Sequence, residues 1–254
     1  MIIILSPSKT LDFQTSTLTK IHTSPAFLKE SSILIKQLRK YSPKKIATLM
    51  GISEKLALLN VQRYKDFSPP FTMDNARQAL LAFKGDVYTP MQVESYSKDD
   101  LAFAQNHLRI LSGLYGVLRP LDLIQPYRLE MGISLPNPRG KNLYDFWNER
   151  ITQALNNDIK NHKNKSVINI ASVEYFHSVK PDLLEGKLLT VVFKEKQKGS
   201  LKIIGLFAKK ARGMMANFVI KNGIDKPDGI KSFNEAGYGF QPSLSGDKEW
   251  VFIR

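Results

Sequence analysis

The chain opens on a short apolar run that changes abruptly to polar residues. Met1 to Leu5 reads MIIIL, a β-branched run typical of a buried strand, and SPSKT follows it directly. We expect this strand to deliver a group of polar side chains to one edge of a sheet, where open α/β sheets bind ligands: Ser6, Ser8, Lys9 and Thr10. Lys9, among small hydroxyl residues, is suited to holding a phosphate, although the segment lacks the glycines of a P-loop. An ordinary turn rich in serine and threonine explains the same pattern.

Other apolar stretches also predict strands. SVINIA, from Ser166 to Ala171, ends at another polar group, formed by Ser172, Glu174 and Tyr175. LLTVVF and LKIIGLF predict an antiparallel pair joined by the basic turn KEKQKGS. GYGF and EWVFI, near the end of the sequence, predict a closing pair of strands.

Several longer segments predict helices. Most show apolar residues at helical spacing, and Ser97 with Asp100 has the spacing of a capping box. The predicted helices are Pro25 to Leu38, Asp74 to Leu81, Ser97 to His107, one long packing helix from Lys141 to Ile159, and AKKARGMMANFVI. The last carries three cations in its first turns, where they oppose the helix dipole: Lys209, Lys210 and Arg212. A bound anion explains these cations, and so do long side chains that fold away over the surface.

The segment from Ser42 to Tyr64 predicts two helices that meet at a tight turn. Ser42 and Pro43 fit an N-cap and a first helical position, the chain breaks at Gly51, and Ser53 can cap the second helix. This spacing resembles the helix-hairpin-helix motif, in which backbone amides hold a DNA phosphate without reading bases. Ser53 stands where that motif usually has a glycine. Three lysines are placed to meet flanking phosphates: Lys44, Lys45 and Lys55. A plain helical hairpin in the core is the alternative.

These elements alternate irregularly, and no linker of low complexity divides them. The chain has 254 residues, of which 43% are hydrophobic, so it can bury a substantial core. We therefore predict a mixed α/β fold, with a central mixed sheet surrounded by helices, formed as a single domain by residues 1–254.

Charge narrows the choice of partner. Lys and Arg number 37 against 23 Asp and Glu, a formal net charge of +14. Ten basic and three acidic residues lie between Lys194 and Lys231, which places half of the excess in that segment. A polyanion as partner explains this excess of basic residues, and a basic face kept for solubility explains it equally well.

Composition also excludes several classes of function. Cysteine is absent, which excludes disulfides, thiolate catalysis and cysteine-based peroxide sensing. The four histidines are scattered, so we expect no metal site and no cofactor. Apolar runs are too short to span a bilayer, and MIIIL is too short for a signal peptide. We expect a soluble cytoplasmic protein with no membrane contact, and the sequence predicts no protein partner.

The stretch LRILSGLYGVLRPLDLIQPYRLEMG, from Leu108 to Gly132, mixes apolar residues with turn formers and charges. Arg119, Asp122, Arg128 and Glu130 lie between residues that we expect to be buried, and buried charges need partners. We interpret the stretch as the floor of a polar cleft whose arginines meet an anion. An internal ion-pair network that positions two turns is the alternative.

FKGDVY contains a tight turn at Gly85 between two opposite charges. Lys84 and Asp86 are candidates for acid-base or anion-binding chemistry, although a salt bridge within a turn is commoner.

Six segments, in this order along essentially the whole chain, resemble the YaaA peroxide stress resistance family: SPSKTLDF, FKGDVY, LSGLYGVLRPLDLIQPYRLEMG, NLYDFW, EYFHSVKP and FAKKARGMM. The resemblance implies protection against hydrogen peroxide by limiting the free iron that drives hydroxyl-radical damage to DNA. It also implies DNA binding by an unusual α/β fold with a helix-hairpin-helix element and a positively charged cleft. Carried onto this sequence, the element falls on Ser42 to Tyr64. The cleft that the resemblance implies would be lined by cations at the matching motif positions: Lys9, Lys84, Arg119, Arg128, Lys209, Lys210 and Arg212.

The resulting hypothesis is a protein that binds double-stranded DNA through phosphate contacts, without dependence on sequence. The main alternative is an enzyme of the glycosylase or lyase type that acts on nucleotides or nucleic acid. In that case Lys84 or Lys9 supplies an amine, and the candidate acid-base groups are Glu130, Asp86 and Glu174. Direct sequestration of iron is a third hypothesis, weakened by the missing ligand cluster.

Overall fold

The computed structural model describes residues 1–15, 18–197 and 199–254. Lys198, which belongs to the basic segment and to the turn KEKQKGS, lies outside the described residues.

The described strands range from two to eleven residues in length. They are β1 (Ile2–Leu5), β2 (Thr10–Leu11), β3 (Arg77–Gln78), β4 (Phe83–Lys84), β5 (Leu108–Ser112), β6 (Gly116–Leu118), β7 (Leu123–Ile124), β8 (Ser166–Asn169), β9 (Lys187–Gln197), β10 (Ser200–Lys202), β11 (Gly239–Phe240) and β12 (Glu249–Ile253).

The α-helices lie between these strands. They are α1 (Leu28–Leu38), α2 (Pro43–Met50), α3 (Glu54–Asp66), α4 (Ala79–Ala82), α5 (Lys98–His107), α6 (Leu143–Trp147), α7 (Arg150–Ile159), α8 (Val173–Phe176) and α9 (Gly205–Lys221). Short 3₁₀ turns cover Thr89–Met91, Val93–Ser95, Pro181–Leu183, Pro227–Ser232, Glu235–Gly237 and Pro242–Leu244.

A central mixed sheet runs through the molecule in the order β11-β12-β9-β8-β1-β5-β6, with β10 paired to β9. The inner strands β12, β9, β8, β1 and β5 run parallel to one another. The strands β11, β10 and β6 pair antiparallel with β12, β9 and β5, respectively. All four residues of β1 are buried, as the apolar run predicts for the middle of a covered sheet. Helices α5, α7 and α9 pack against the sheet. The predicted mixed α/β fold with a central mixed sheet and flanking helices is confirmed.

Local predictions succeeded where caps or β-branched runs mark the elements. Strands β1 and β8, the antiparallel pair β11 with β12, and helices α1 and α5 lie where the sequence indicates them. The predicted pairing of LLTVVF with LKIIGLF is wrong in extent, because β9 continues to Gln197 and only its last three residues pair with β10. Helix α9 begins earlier than predicted, at Gly205, so its cations Lys209, Lys210 and Arg212 follow the first turn. Ser97 forms a complete capping box with Asp100 at the start of α5.

Two helix predictions are wrong in extent. The segment Lys141 to Ile159 is not one helix, because Asn148 adopts a left-handed φ of 42° between α6 and α7. Asp74 to Leu81 forms a turn, the strand β3 and the start of the short helix α4. There β3 pairs with β7 of the central stretch, so tertiary pairing overrides the local pattern.

Helix α9 lies directly against the chain that follows Gly85. A Cβ atom at Gly213 would overlap the carbonyl oxygen of Val87, so the helix reaches this position only because residue 213 is glycine. The contact fixes Arg212 and the loop of Asp86 next to each other. Among the described residues, no helix is both long enough and apolar enough to cross a membrane.

The close approach of α9 can be tested within one helix. Gly213→Ala should lower the free energy of unfolding by about 1 to 3 kcal/mol, because α9 must move away from Val87. Gly205→Ala is the matched control, since a Cβ at Gly205 meets nothing within 4 Å. Chemical denaturation measures both variants. Equal stability of the two would show that α9 is not held against Val87.

Candidate functional site

A cavity of about 460 Å³ opens where β1 and β8 end. These strands are adjacent and parallel, so their carboxyl ends deliver residues to the same edge of the sheet. We call this space the strand-end cavity. It is lined by Leu5, Ser6, Pro7, Ser8, Lys9, Thr10, Gly85, Asp86, Val87, Ile170, Ser172, Glu174, Tyr175, Lys209 and Arg212.

Hydroxyl groups fix the two strand ends to each other. The Ser172 amide donates a hydrogen bond to Ser6 Oγ at 2.8 Å, and Ser6 Oγ donates to Ser172 Oγ at 3.2 Å. Tyr88 OH donates to the Ser6 carbonyl oxygen at 2.9 Å, which adds the loop after Gly85 to the same group. The polar residues that the sequence places after the two strands are therefore brought together at the floor of the cavity.

Helix α9 supplies cations to the other side of the cavity. Lys209 is exposed there, and Arg212 is partly buried. Burial lowers the pKa of Arg212, and within the described chain its Nε atom is buried with no hydrogen-bond partner. A buried cationic donor without an acceptor is costly, so an anion in the cavity would satisfy it.

A buried carboxylate joins two parts of the chain beside the cavity. Glu130 Oε1 lies 3.1 Å from Lys9 Nζ and 2.9 Å from the Arg128 guanidinium. The side chain of Glu130 is 9% exposed, against 17% for Arg128 and 65% for Lys9, so Arg128 is its sheltered partner. We call these three residues the Glu130 cluster. Arg128 and Glu130 therefore form an ion pair two positions apart, which is the geometry of the alternative internal ion-pair network.

The second carboxylate oxygen of Glu130, Oε2, does not share the contacts of Oε1. Oε2 is buried and accepts no hydrogen bond in the described part of the chain. Glu130 lines a small recess of about 10 Å³, roughly the space of one water molecule, next to the strand-end cavity. The walls of the recess are Pro7, Ser8, Lys9, Tyr127, Arg128, Leu129, Glu130 and Tyr175. Lys9 and Tyr175 line both spaces, so the recess continues the cavity.

The extended segment that carries Glu130 is held from three sides. Tyr64 OH, from α3, donates to the Arg128 carbonyl oxygen. Tyr127 OH shares a hydrogen bond of 2.7 Å with Ser112 Oγ at the end of β5. The Gly132 amide donates to Glu174 Oε1 at 3.0 Å. Burial, followed by the nearby Glu130 charge, raises the pKa of Tyr64, which keeps this hydroxyl a donor.

Only part of the predicted cleft comes together. Lys9, Lys209 and Arg212 line the strand-end cavity, and Arg128 lines the adjoining recess. Lys210 is exposed and does not line either space. Of the candidate acid-base groups, Asp86 and Glu174 line the cavity and Glu130 lines the recess.

Lys84 and Arg119 lie outside both the strand-end cavity and the recess. Lys84 forms a salt bridge of 3.0 Å with the exposed Glu94 and lines a different cavity. Arg119 follows β6, which carries the chain away from the cavity edge, and pairs with the buried Asp122 at 3.1 Å. For Arg119 the geometry is that of the internal ion-pair network. The seven predicted cations do not line one continuous cleft among the described residues.

The helical hairpin from Ser42 to Tyr64 has the predicted caps. Ser42 caps α2 and Ser53 caps α3 through their side chains, and Gly51 turns the chain with a left-handed φ of 60°. The amides of Gly51 and Ile52 both donate to the Ala47 carbonyl oxygen, so they are occupied within the hairpin. The part of the hairpin that can still attract an anion is the N-terminus of α3, with its first backbone amides.

Three lysines of the hairpin are exposed. Lys44 and Lys45 lie in the first turn of α2, at the far end of that helix from the Gly51 turn, and Lys55 lies in the first turn of α3. Lys45 Nζ lies 4.1 Å from the centre of the Tyr41 ring. The hairpin is thus a second cationic surface, connected to the Glu130 cluster by Tyr64.

Sequence reasoning missed Tyr64, Tyr88 and Gly213. Each acts through a partner distant in sequence, and the first two look like ordinary aromatic core residues. In the described residues no group of three or more His, Asp or Glu side chains is arranged to hold a metal ion.

Comparisons with known proteins agree along the whole chain. A family model described as peroxide stress protein YaaA matches residues 1–244. A UPF0246 protein of Cellvibrio japonicus is 52% identical over 254 residues, which cover all of this chain and 98% of that protein. A UPF0246 protein of Acaryochloris marina is 54% identical over the full length of both chains.

The Glu130 cluster makes a prediction about stability. Arg128→Ala should lower the free energy of unfolding by about 1 to 3 kcal/mol, because a buried carboxylate loses its sheltered partner. Lys9→Ala should cost less than about 1 kcal/mol, because exposed ion pairs contribute little. Urea denaturation compares the two variants. A larger loss in Lys9→Ala would contradict the assignment of Arg128 as the main partner of Glu130.

Proposed function

Because the chain belongs to the peroxide stress protein YaaA family, we propose that it is a cytoplasmic DNA-binding protein of the response to hydrogen peroxide. It binds duplex DNA through phosphate contacts and so limits iron-dependent oxidative damage. The observation that carries the proposal is the capped hairpin, with Lys44 and Lys45 exposed in the first turn of α2 and Lys55 exposed in the first turn of α3.

The charge of the molecule supports this partner. A net charge of +14 attracts a polyanion over long range, and contacts to phosphates fix a protein on DNA without reading its sequence. Since the Gly51 amide is used inside the hairpin and the Leu56 amide donates to Ser53 Oγ, the phosphate contacts come from the amides of Glu54 and Lys55 and from the lysines.

Phosphate binding also offers a physical route to protection. Duplex DNA holds a condensed layer of cations, and a protein that neutralises phosphates releases them. Ferrous iron is one such cation. Bound protein therefore lowers the amount of iron at the backbone, where hydroxyl radicals formed from peroxide would attack.

A nucleic-acid enzyme is the second candidate function, favoured by one observation. Lys9 Nζ lies 3.1 Å from the buried Glu130 carboxylate at the edge of the strand-end cavity, which makes Lys9 a better candidate amine than Lys84, whose carboxylate partner Glu94 is exposed. Base release or strand cleavage that is lost in Lys9→Ala, with DNA affinity retained, would favour this function over binding alone.

The DNA-binding proposal predicts a strong dependence on salt. If about six phosphates are neutralised, the affinity for duplex DNA should fall about a thousandfold between roughly 50 and 200 mM salt, with little dependence on base sequence. Fluorescence anisotropy with labelled duplexes of different sequence measures this. Affinity that does not change with salt would contradict the proposal.

The role of the hairpin can be separated from that of net charge. Replacing Lys44, Lys45 and Lys55 together by Ala should reduce the slope of log affinity against log salt by about three. The control replaces three exposed lysines at the opposite edge of the sheet, before β8 and β12: Lys163, Lys165 and Lys248. Both variants lose the same charge. An equal effect of the two would remove the hairpin from the contact surface.

A further inference from the structure

Contacts between the hairpin and phosphates leave the strand-end cavity without a role. Its volume of about 460 Å³ is in the range of small-molecule sites, and it lies at the carboxyl ends of parallel strands, where α/β sheets bind ligands. A phosphate group alone needs much less space.

The cationic side of the cavity is suited to an anion. Lys9, Lys209 and Arg212 line it, and the buried Nε of Arg212 donates no hydrogen bond to any described residue. Because buried charged donors are normally satisfied, an anionic oxygen is the missing acceptor.

The adjoining recess is suited to a hydrogen-bond donor. Glu130 Oε2 is a buried acceptor that receives no hydrogen bond within the described ranges, while both cations of the Glu130 cluster contact Oε1. The recess, at about 10 Å³, admits one group of the size of a water molecule. An amino group that projects from a larger ligand meets both conditions.

Between the two sides lies Tyr175, a buried aromatic residue that lines both the cavity and the recess. A planar ring system can pack against an aromatic side chain regardless of its exact identity. The space therefore fits a ligand with an anionic end, a ring and a projecting amino group.

We propose that the strand-end cavity binds one nucleotide, with its phosphate at Lys209 and Arg212 and the exocyclic amino group of its base in the recess at Glu130. The choice of a nucleotide among ligands of this chemistry rests on the proposed DNA binding. The nucleotide is either free in solution or turned out of a DNA strand, since both sources present the same groups.

Calorimetric titration of the full-length protein without DNA tests the proposal. The probes are dAMP, dCMP, dGMP and dTMP, the four matching nucleosides, and inorganic phosphate. We expect at least one amino-bearing nucleotide to bind with a Kd below about 1 mM, and at least tenfold more tightly than its nucleoside, inorganic phosphate or dTMP, which lacks the amino group. No measurable nucleotide binding, equal binding of dTMP, or equal binding of phosphate alone would overturn the proposal.

Variants locate the two ends of the ligand. Arg212→Gln should weaken nucleotide binding at least tenfold, and Lys209→Gln at the exposed position gives the same test if Arg212→Gln does not fold. Arg150→Gln is the control, because Arg150 is a partly buried arginine that donates to the Phe146 carbonyl oxygen outside the cavity. Glu130→Gln should reduce the preference over dTMP. Unchanged nucleotide affinity in both cavity variants would overturn the proposal.

A second set of measurements distinguishes a free nucleotide from one turned out of DNA. It also distinguishes the cavity proposal from the proposed DNA binding. If the ligand is turned out of DNA, Arg212→Gln should lower affinity for a mismatched duplex more than for a matched one. If the ligand is a free nucleotide, the two duplexes should respond alike. The triple hairpin variant should lose duplex affinity and keep nucleotide affinity. Nucleotide binding by a protein that does not bind duplex DNA would contradict the proposed function and leave the cavity proposal standing.

Discussion

The buried carboxylate of Glu130 is the constraint around which this site is arranged. A carboxylate with 9% of its side chain exposed must have cationic partners, and its partners come from separate parts of the chain. Lys9 follows the first strand, and Arg128 lies in the extended central segment. The requirement draws the end of β1 and the central segment together. Hydrogen bonds to this segment then fix it against α3, β5 and α8: Tyr64 OH donates to it, Ser112 shares a hydrogen bond with Tyr127, and Glu174 accepts from the Gly132 amide.

The strand-end cavity, through its recess, and the hairpin, through Tyr64, both adjoin the segment that carries Arg128 and Glu130. The parallel pairing of β1 with β8 forms the floor of the strand-end cavity, and the contact of α9 with Val87 brings Arg212 over it. The hairpin reaches the same segment through Tyr64. A phosphate held at the start of α3 would therefore act on a helix that is hydrogen-bonded to the wall of the recess. The hairpin and the wall of the recess are thus in direct contact through the Tyr64 hydroxyl and the Arg128 carbonyl oxygen.

The fold was largely predictable because its main elements carry local signals. Buried β-branched runs mark β1 and β8, and serine caps mark α2, α3 and α5. The break at Asn148 and the pairing of β3 with β7 carry no such signal. The site was only partly predictable. Charge and turn residues identified the central stretch, but Arg119 and Arg128, which both pair with a buried carboxylate, differ in position, since only Arg128 lies beside the strand-end cavity. Their difference arises from the direction of β6, which is a property of the assembled sheet.

A DNA phosphate held at the start of α3, on a helix that contacts the wall of the recess, should change the protection of both regions. Hydrogen–deuterium exchange with mass spectrometry, on the full chain with and without a saturating short duplex, tests this most directly. We expect slower exchange in peptides that contain Ser53 to Leu56, accompanied by slower exchange in the segment from Tyr127 to Gly132. Unchanged exchange at the start of α3 while the protein is saturated with DNA would contradict this expectation.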